Sequence, residues 1–92
     1  MVIFLRDTSG NSVVDCEIYN SSTDGKVHGK VHVKLSIPKS WDCAVELKEL
    51  KKKCSDLNGV SSIDDALDSV TKVLQHEIKK LSVKMNLRYI ED

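Results

Sequence analysis

The side chains here that could do chemistry are histidines, cysteines and a lysine run, and each must be placed before it can be credited with a role. Imidazole is the commonest zinc ligand, and His28 and His32 stand four residues apart. On an extended strand that spacing is roughly 13 Å, too far for two rings to share one ion. A strand holds a metal with ligands two residues apart or with ligands from neighbouring strands, and the thiols are expected on the opposite face. The pattern argues against a metal centre.

Cys16, Cys43 and Cys54 show no C-x-x-C spacing and no histidine at ligand distance. Each falls at an apolar position, which predicts buried, reduced packing residues rather than a disulfide framework. A catalytic thiolate needs exposure and a base or cation beside it. Cys54 follows Lys51, Lys52 and Lys53, so it is the thiol whose reactivity is worth checking.

Lys51 to Lys53, with Lys39 and Lys48, form the candidate phosphate-binding patch. A structural role competes with that reading. The run falls near the end of an expected helix, where cations complement the macrodipole, and Glu49 with Lys53 is a well-oriented i,i+4 pair. In an antiparallel helical hairpin it would also adjoin Asp64, Asp65 and Asp68. Adjacent carboxylates such as Asp64 and Asp65 diverge by about 100° on a helix, so they read as capping residues. His76, beside Glu77, Lys79 and Lys80, reads as solvated. Phosphate-loop, dinucleotide, zinc-protease and nucleophile-elbow motifs are absent. No nucleophile, base and oxyanion donor assemble from what remains, so neither an enzyme nor a cofactor is expected.

The elements that position these groups follow from periodicity. From Val27 to Ile37 the odd positions other than Gly29 are apolar and the evens are His28, Lys30, His32, Lys34 and Ser36. Such alternation predicts a half-buried strand. Val14, Cys16 and Ile18 alternate with Asp15, Glu17 and Tyr19 in a second strand. Asp24-Gly25 between them favours a two-residue turn with positive φ at both positions. That turn would pair Ile18 with Val31, Cys16 with Val33 and Val14 with Leu35. On the other face it sets Glu17 across from His32, Asp15 from Lys34 and Tyr19 from Lys30.

Val2 to Arg6 reads as a first strand, with Gly10-Asn11 as its turn, which places Arg6 opposite Asp15. Ile3 and Leu5 then join the apolar face, and Val2, Phe4, Val13 and Tyr19 the outer one. Pro38 ends the third strand and Ser40 offers a helix N-cap. A helix is expected from about Trp41 to Leu57, stopped by Asn58-Gly59. A second, opened by Ser61 and Ser62 with Asp64 and Asp65 in capping-box positions, is expected from about Ile63 to Leu81, with Leu67, Val70, Leu74, Ile78 and Leu81 as its stripe. After Leu81, Val83, Met85, Leu87 and Tyr89 alternate as in a fourth strand. No glycine or proline intervenes, so a helix running on toward Tyr89 is the alternative. The fold class is α+β: an antiparallel three-stranded meander, with a fourth strand in the first reading, packed on one face by a helical hairpin in a single domain.

Composition bounds the function. Ninety-two residues suit one domain, and a chain this short buries only about 60–65% of its unfolded surface. A homodimer would be an ordinary way to enlarge such a core. Fourteen basic residues balance fourteen acidic ones, which disfavours nucleic acid and anionic membranes as partners. No apolar run approaches a membrane span, and Met1 to Leu5 lacks the flanks of a signal peptide, so a cytoplasmic setting is expected.

These features point to a non-enzymatic protein-interaction module, an inhibitor, adaptor or accessory protein of the kind phages and viruses often encode. Its contacts would come from Phe4, Tyr19, His28, Lys30, His32 and Lys34 on the outer sheet face and from Lys51, Lys52 and Lys53. Nucleic-acid binding through that face or the lysine run is the alternative. Asp15 and Glu17, in the middle of the face, oppose it.

Overall fold

The alternating segments do form a sheet, and the helical stripes cover one side of it. The computed structural model describes residues 1–21, 29–62 and 66–92. The Asp24-Gly25 turn, His28, Asp64 and Asp65 lie outside that description. The elements in chain order are β1 (Val2–Arg6), β2 (Ser12–Ser21), β3 (Lys30–Ser36), α1 (Lys39–Asp42), a 3₁₀ turn (Val45–Leu47), α2 (Lys48–Leu57), α3 (Ala66–Lys84) and β4 (Arg88–Glu91). The sheet is antiparallel with strand order β3-β2-β1-β4. Ile3, Leu5, Val14, Cys16, Ile18, Val31 and Val33 meet Leu47, Leu50, Cys54, Val70, Leu74, Ile78 and Leu81 in one buried core.

The faces follow the expected parity, but the pairing differs by two residues. Ile18 pairs with Val33 and Cys16 with Leu35, so Glu17 lies opposite Lys34 and Tyr19 opposite His32. A slip of two keeps every side chain on its side of the sheet, which is why alternation cannot detect it.

The β1–β2 pairing differs in the same way, and here the cause is visible. The turn closes over Asp7 to Gly10, with Gly10 N–H donating to the Asp7 carbonyl at 3.0 Å and Gly10 at φ 85°. Asp at the first position and Gly at the fourth suit this turn better than Gly10-Asn11 at its centre. Asp7 Oδ1 also accepts from the backbone N–H of Ser9 at 2.9 Å and of Asn11 at 2.8 Å. Leu5 pairs with Val14 but Arg6 with Ser12, leaving Val13 as the extra residue of a β-bulge. The bulge breaks the alternation, so Val13 and Val14 are both fully buried and the expected outer position of Val13 is corrected. Phe4 therefore faces Asp15, the residue expected opposite Arg6.

The first expected helix is broken. Pro38, not Ser40, occupies the N-cap of α1, and Ala44 is extended at φ −64°, ψ 125°. That kink turns Leu47 into the core and leaves Cys43 exposed, against the expectation that all three thiols are buried. Lys51 Nζ bridges the gap, donating to the Asp42 carbonyl and, at 2.7 Å, to Asp42 Oδ1. At the other end of α2 the backbone of Asn58 (φ −68°, ψ 127°) and Gly59 (φ 87°) has type II turn geometry, in which the second central residue needs positive φ.

α3 runs three residues past its expected end. Asn86, at φ 54°, stops it: Leu87 N–H donates to the Ser82 carbonyl and Asn86 N–H to that of Val83, the hydrogen-bond pattern of a Schellman cap. β4 follows and pairs with β1, so the fourth strand exists but begins at Arg88, and Val83 is an exposed helical residue. Glu77 of α3 lies 3.2 Å from Lys53 of α2, and Leu81 and Lys84 of α3 line a groove with Glu46 and Glu49 near the start of α2, as an antiparallel hairpin requires. Among the described residues no helix is long and apolar enough to cross a membrane.

Candidate protein interface on the open sheet face

α2 and α3 pack on the side of the sheet carrying Ile3, Cys16 and Val33. Among the described residues no helix lies on the other side, and strand parity fixes what it displays. Across β3, β2, β1 and β4 one rung reads Ser36, Asp15, Phe4, Ile90, and the next reads Lys34, Glu17, Val2. His32 and Tyr19 form a rung at one end, with rings stacked at 5.2 Å between centroids and 9° between planes. Arg6 and Arg88 form the rung at the other end, and the Arg6 guanidinium lies 4.9 Å from the Phe4 ring centroid.

The physical character of this face is mixed. Val2, Phe4 and Ile90 are half-buried by their neighbours alone, and Tyr19 is 46% exposed. Opposite charges meet at Glu17 and Lys34. Val2, Phe4, Asp15, Glu17, Lys34 and Ser36 enclose a shallow depression of about 260 Å³. Apolar Val2, Phe4 and Ile90 thus lie on one face with the Tyr19–His32 stack, the Arg6–Arg88 rung and the charged Asp15, Glu17 and Lys34.

Of the residues singled out in the sequence, the structure brings Phe4, Tyr19, Lys30, His32 and Lys34 to this one face. It separates them from the lysine run, which lies in the helical layer on the opposite side. Nor are Lys51, Lys52 and Lys53 one patch, because successive helical residues diverge by about 100°. Lys51 is tied to Asp42, Lys53 Nζ donates to Glu77 Oε2 at 3.2 Å, and Lys52 is exposed. The run lies in the middle of α2, outside its last turn, and Asp68 pairs with Lys72 of its own helix. Arg88 and Ile90 are the members of the face that sequence reading missed, because their place depends on where β4 starts, which Asn86 decides.

Cys16 is fully buried, and the hydrogen bond it makes to Cys54, with burial, pushes its thiol well above the ordinary range. The same contact holds Cys54 down, but that residue is only 3% exposed. Among the described residues no three histidine, cysteine or acidic side chains gather as a metal site would require. At the threshold for significance this chain matches no family model, no curated protein and no solved structure.

Proposed function

We propose that this chain is a non-enzymatic protein-interaction module that works by laying the open face of its sheet on a partner protein, as an inhibitor, adaptor or accessory subunit. The observation that supports this is a sheet whose helices, among the described residues, lie on one side, while its other side groups Phe4, Val2 and Ile90 with the stacked Tyr19 and His32 pair. Tyr19 is exposed and Val2, Phe4 and Ile90 are only half-buried, and apolar and aromatic area left in water gains from being covered by a complementary surface. The balanced charge of the chain, and Glu17 and Asp15 in the middle of the face, weigh against a phosphate backbone as the occupant.

The test compares captures from a lysate of the native organism. Wild-type protein and a Phe4→Ala/Tyr19→Ala variant serve as baits, with Lys52→Ala as the control. Proteins held by the wild type and the control but lost by the double variant support the reading. Identical captures by all three baits would overturn it. A parallel titration with single-stranded and duplex oligonucleotides at about 50 mM salt, showing binding that weakens as salt rises, would replace it with nucleic-acid recognition.

A further inference from the structure

The two edges of the sheet are treated differently. Along the first half of β3, from Gly29 to Val33, the outward backbone groups are met by the segment after α2. Val31 N–H donates to the Val60 carbonyl at 2.8 Å, and Gly59 N–H donates to the Val31 carbonyl at 2.7 Å. Ser62 N–H donates to the Gly29 carbonyl at 3.0 Å, and Val33 N–H to Asn58 Oδ1 at 3.0 Å. Along β4 nothing comparable occurs among the described residues. Arg88 and Ile90 face β1, so Tyr89 and Glu91 turn their N–H and C=O groups outward, where they meet no backbone partner.

The uncovered strand is also electrically polar. It begins with Arg88, directly opposite Arg6, and ends with Glu91, which Asp92 follows. Like charges facing each other across a strand pair are unfavourable, and neither guanidinium is matched by a carboxylate among the described residues. A strand basic at its start and acidic at its end is complementary to a second copy of itself running the other way.

We infer that this chain forms a two-fold homodimer by antiparallel pairing of β4 with β4 of a second copy, joining two sheets into one of eight strands. The register follows from the residues. Setting Ile90 opposite Ile90 of the second copy places Tyr89 opposite Glu91, and Arg88 opposite Asp92, twice over. Tyr89 and Glu91, whose free groups point outward, then exchange the ladder hydrogen bonds. The carboxylate brought to Arg88 is the counter-charge the Arg6–Arg88 rung lacks. The contact is isologous, as a two-fold interface must be. It deepens the reading of the chain as a protein-interaction module, naming a second copy as one partner and using an edge distinct from the open face.

Charge reversal tests it by sedimentation velocity, from micromolar to millimolar protein. The wild type is expected to dimerise, reaching twice the mass of the 10.3 kDa chain. Arg88→Glu and Asp92→Arg should each be monomeric, because each would set two like-charged pairs across the seam. Mixed in equal amounts they should associate, since Glu then faces Arg at one end and Arg faces Asp at the other. Glu91→Pro, which removes an N–H that does not serve β1, should give the same loss without altering the Arg88–Asp92 pairs. A wild type that stays monomeric, single variants that dimerise as it does, or a mixture that stays apart would overturn the inference. The Phe4→Ala/Tyr19→Ala variant should still dimerise, which separates failure of this interface from failure of the open-face proposal.

Discussion

Replacing Val13 by threonine tests the β-bulge that decides what the open face carries. Threonine has nearly the shape of valine and is an equally good strand former, so the change isolates burial. Val13 is fully buried. The substitution removes a buried methyl, worth about 0.8 kcal/mol, and inserts a hydroxyl whose lost hydration costs about 1–3 kcal/mol if no acceptor is found. The expected loss is about 2–4 kcal/mol, or a drop in Tm of roughly 10–30 °C for a domain this size. Val83→Thr, at a site 84% exposed, should change stability by less than about 0.5 kcal/mol. Urea denaturation followed by circular dichroism measures both. If Val13→Thr falls within about 0.5 kcal/mol of Val83→Thr, Val13 is solvated, the bulge is wrong, and the open face has a different composition.

Three further outcomes are expected. Lys53→Ala should destabilise the fold by about 1 kcal/mol, a figure reduced for the 42% exposure of Lys53, because Glu77 is 9% exposed and loses its ammonium partner; Lys52→Ala should be neutral in the same denaturation assay. The Asn11 and Ser9 N–H groups hold the Asp7 carboxyl below its ordinary 3.8, so its stabilising contribution is complete above that pH and is lost as pH falls through the lowered folded value. The Tm gap between wild type and Asp7→Ala should therefore be constant above pH 3.8 and close below it, and a gap that widens in acid refutes the assignment. An aromatic disulfide reagent should modify Cys43 rapidly in the native protein and all three thiols in denaturant; equally rapid labelling of Cys54, located by mass spectrometry, would show that α2 opens readily.

How far the fold could be read from residue order depends on what each signal encodes. Alternation in Ile3, Leu5, Cys16, Ile18, Val31 and Val33 reports which side of a sheet a residue faces, and those sides were legible. It repeats every two residues, so it says nothing about slips of two, and the pairing had to be taken from turn chemistry. There Gly10-Asn11 competed with the Asp7 to Gly10 turn that forms. Val13 was illegible because a bulge is a departure from the pattern being read. The α3 terminus was missed because asparagine, a weaker signal than glycine, supplies the left-handed residue. The lysine run was misplaced because charge along a sequence does not reveal which carboxylates stand across the next helix. Of the candidate face, Phe4, Tyr19, Lys30, His32 and Lys34 were legible together since parity alone groups them, whereas Arg88 and Ile90 depended on the end of α3.

The chain from Asn58 to Ser62 lies along β3 as a short fifth rail, and this sets the valence of the molecule. A sheet open at both sides can recruit copies without end, as in cross-β growth. With β3 occupied over its first residues and β4 without a backbone partner among the described residues, the described part of each molecule offers one extended place to join. In the proposed dimer, joining two such molecules would consume both places, so strand addition would terminate at a closed pair rather than propagate as a filament. Substitutions that free the rail, such as Asn58→Ala with Gly59→Val, would return the second place and convert a self-limiting contact into a polymerising one.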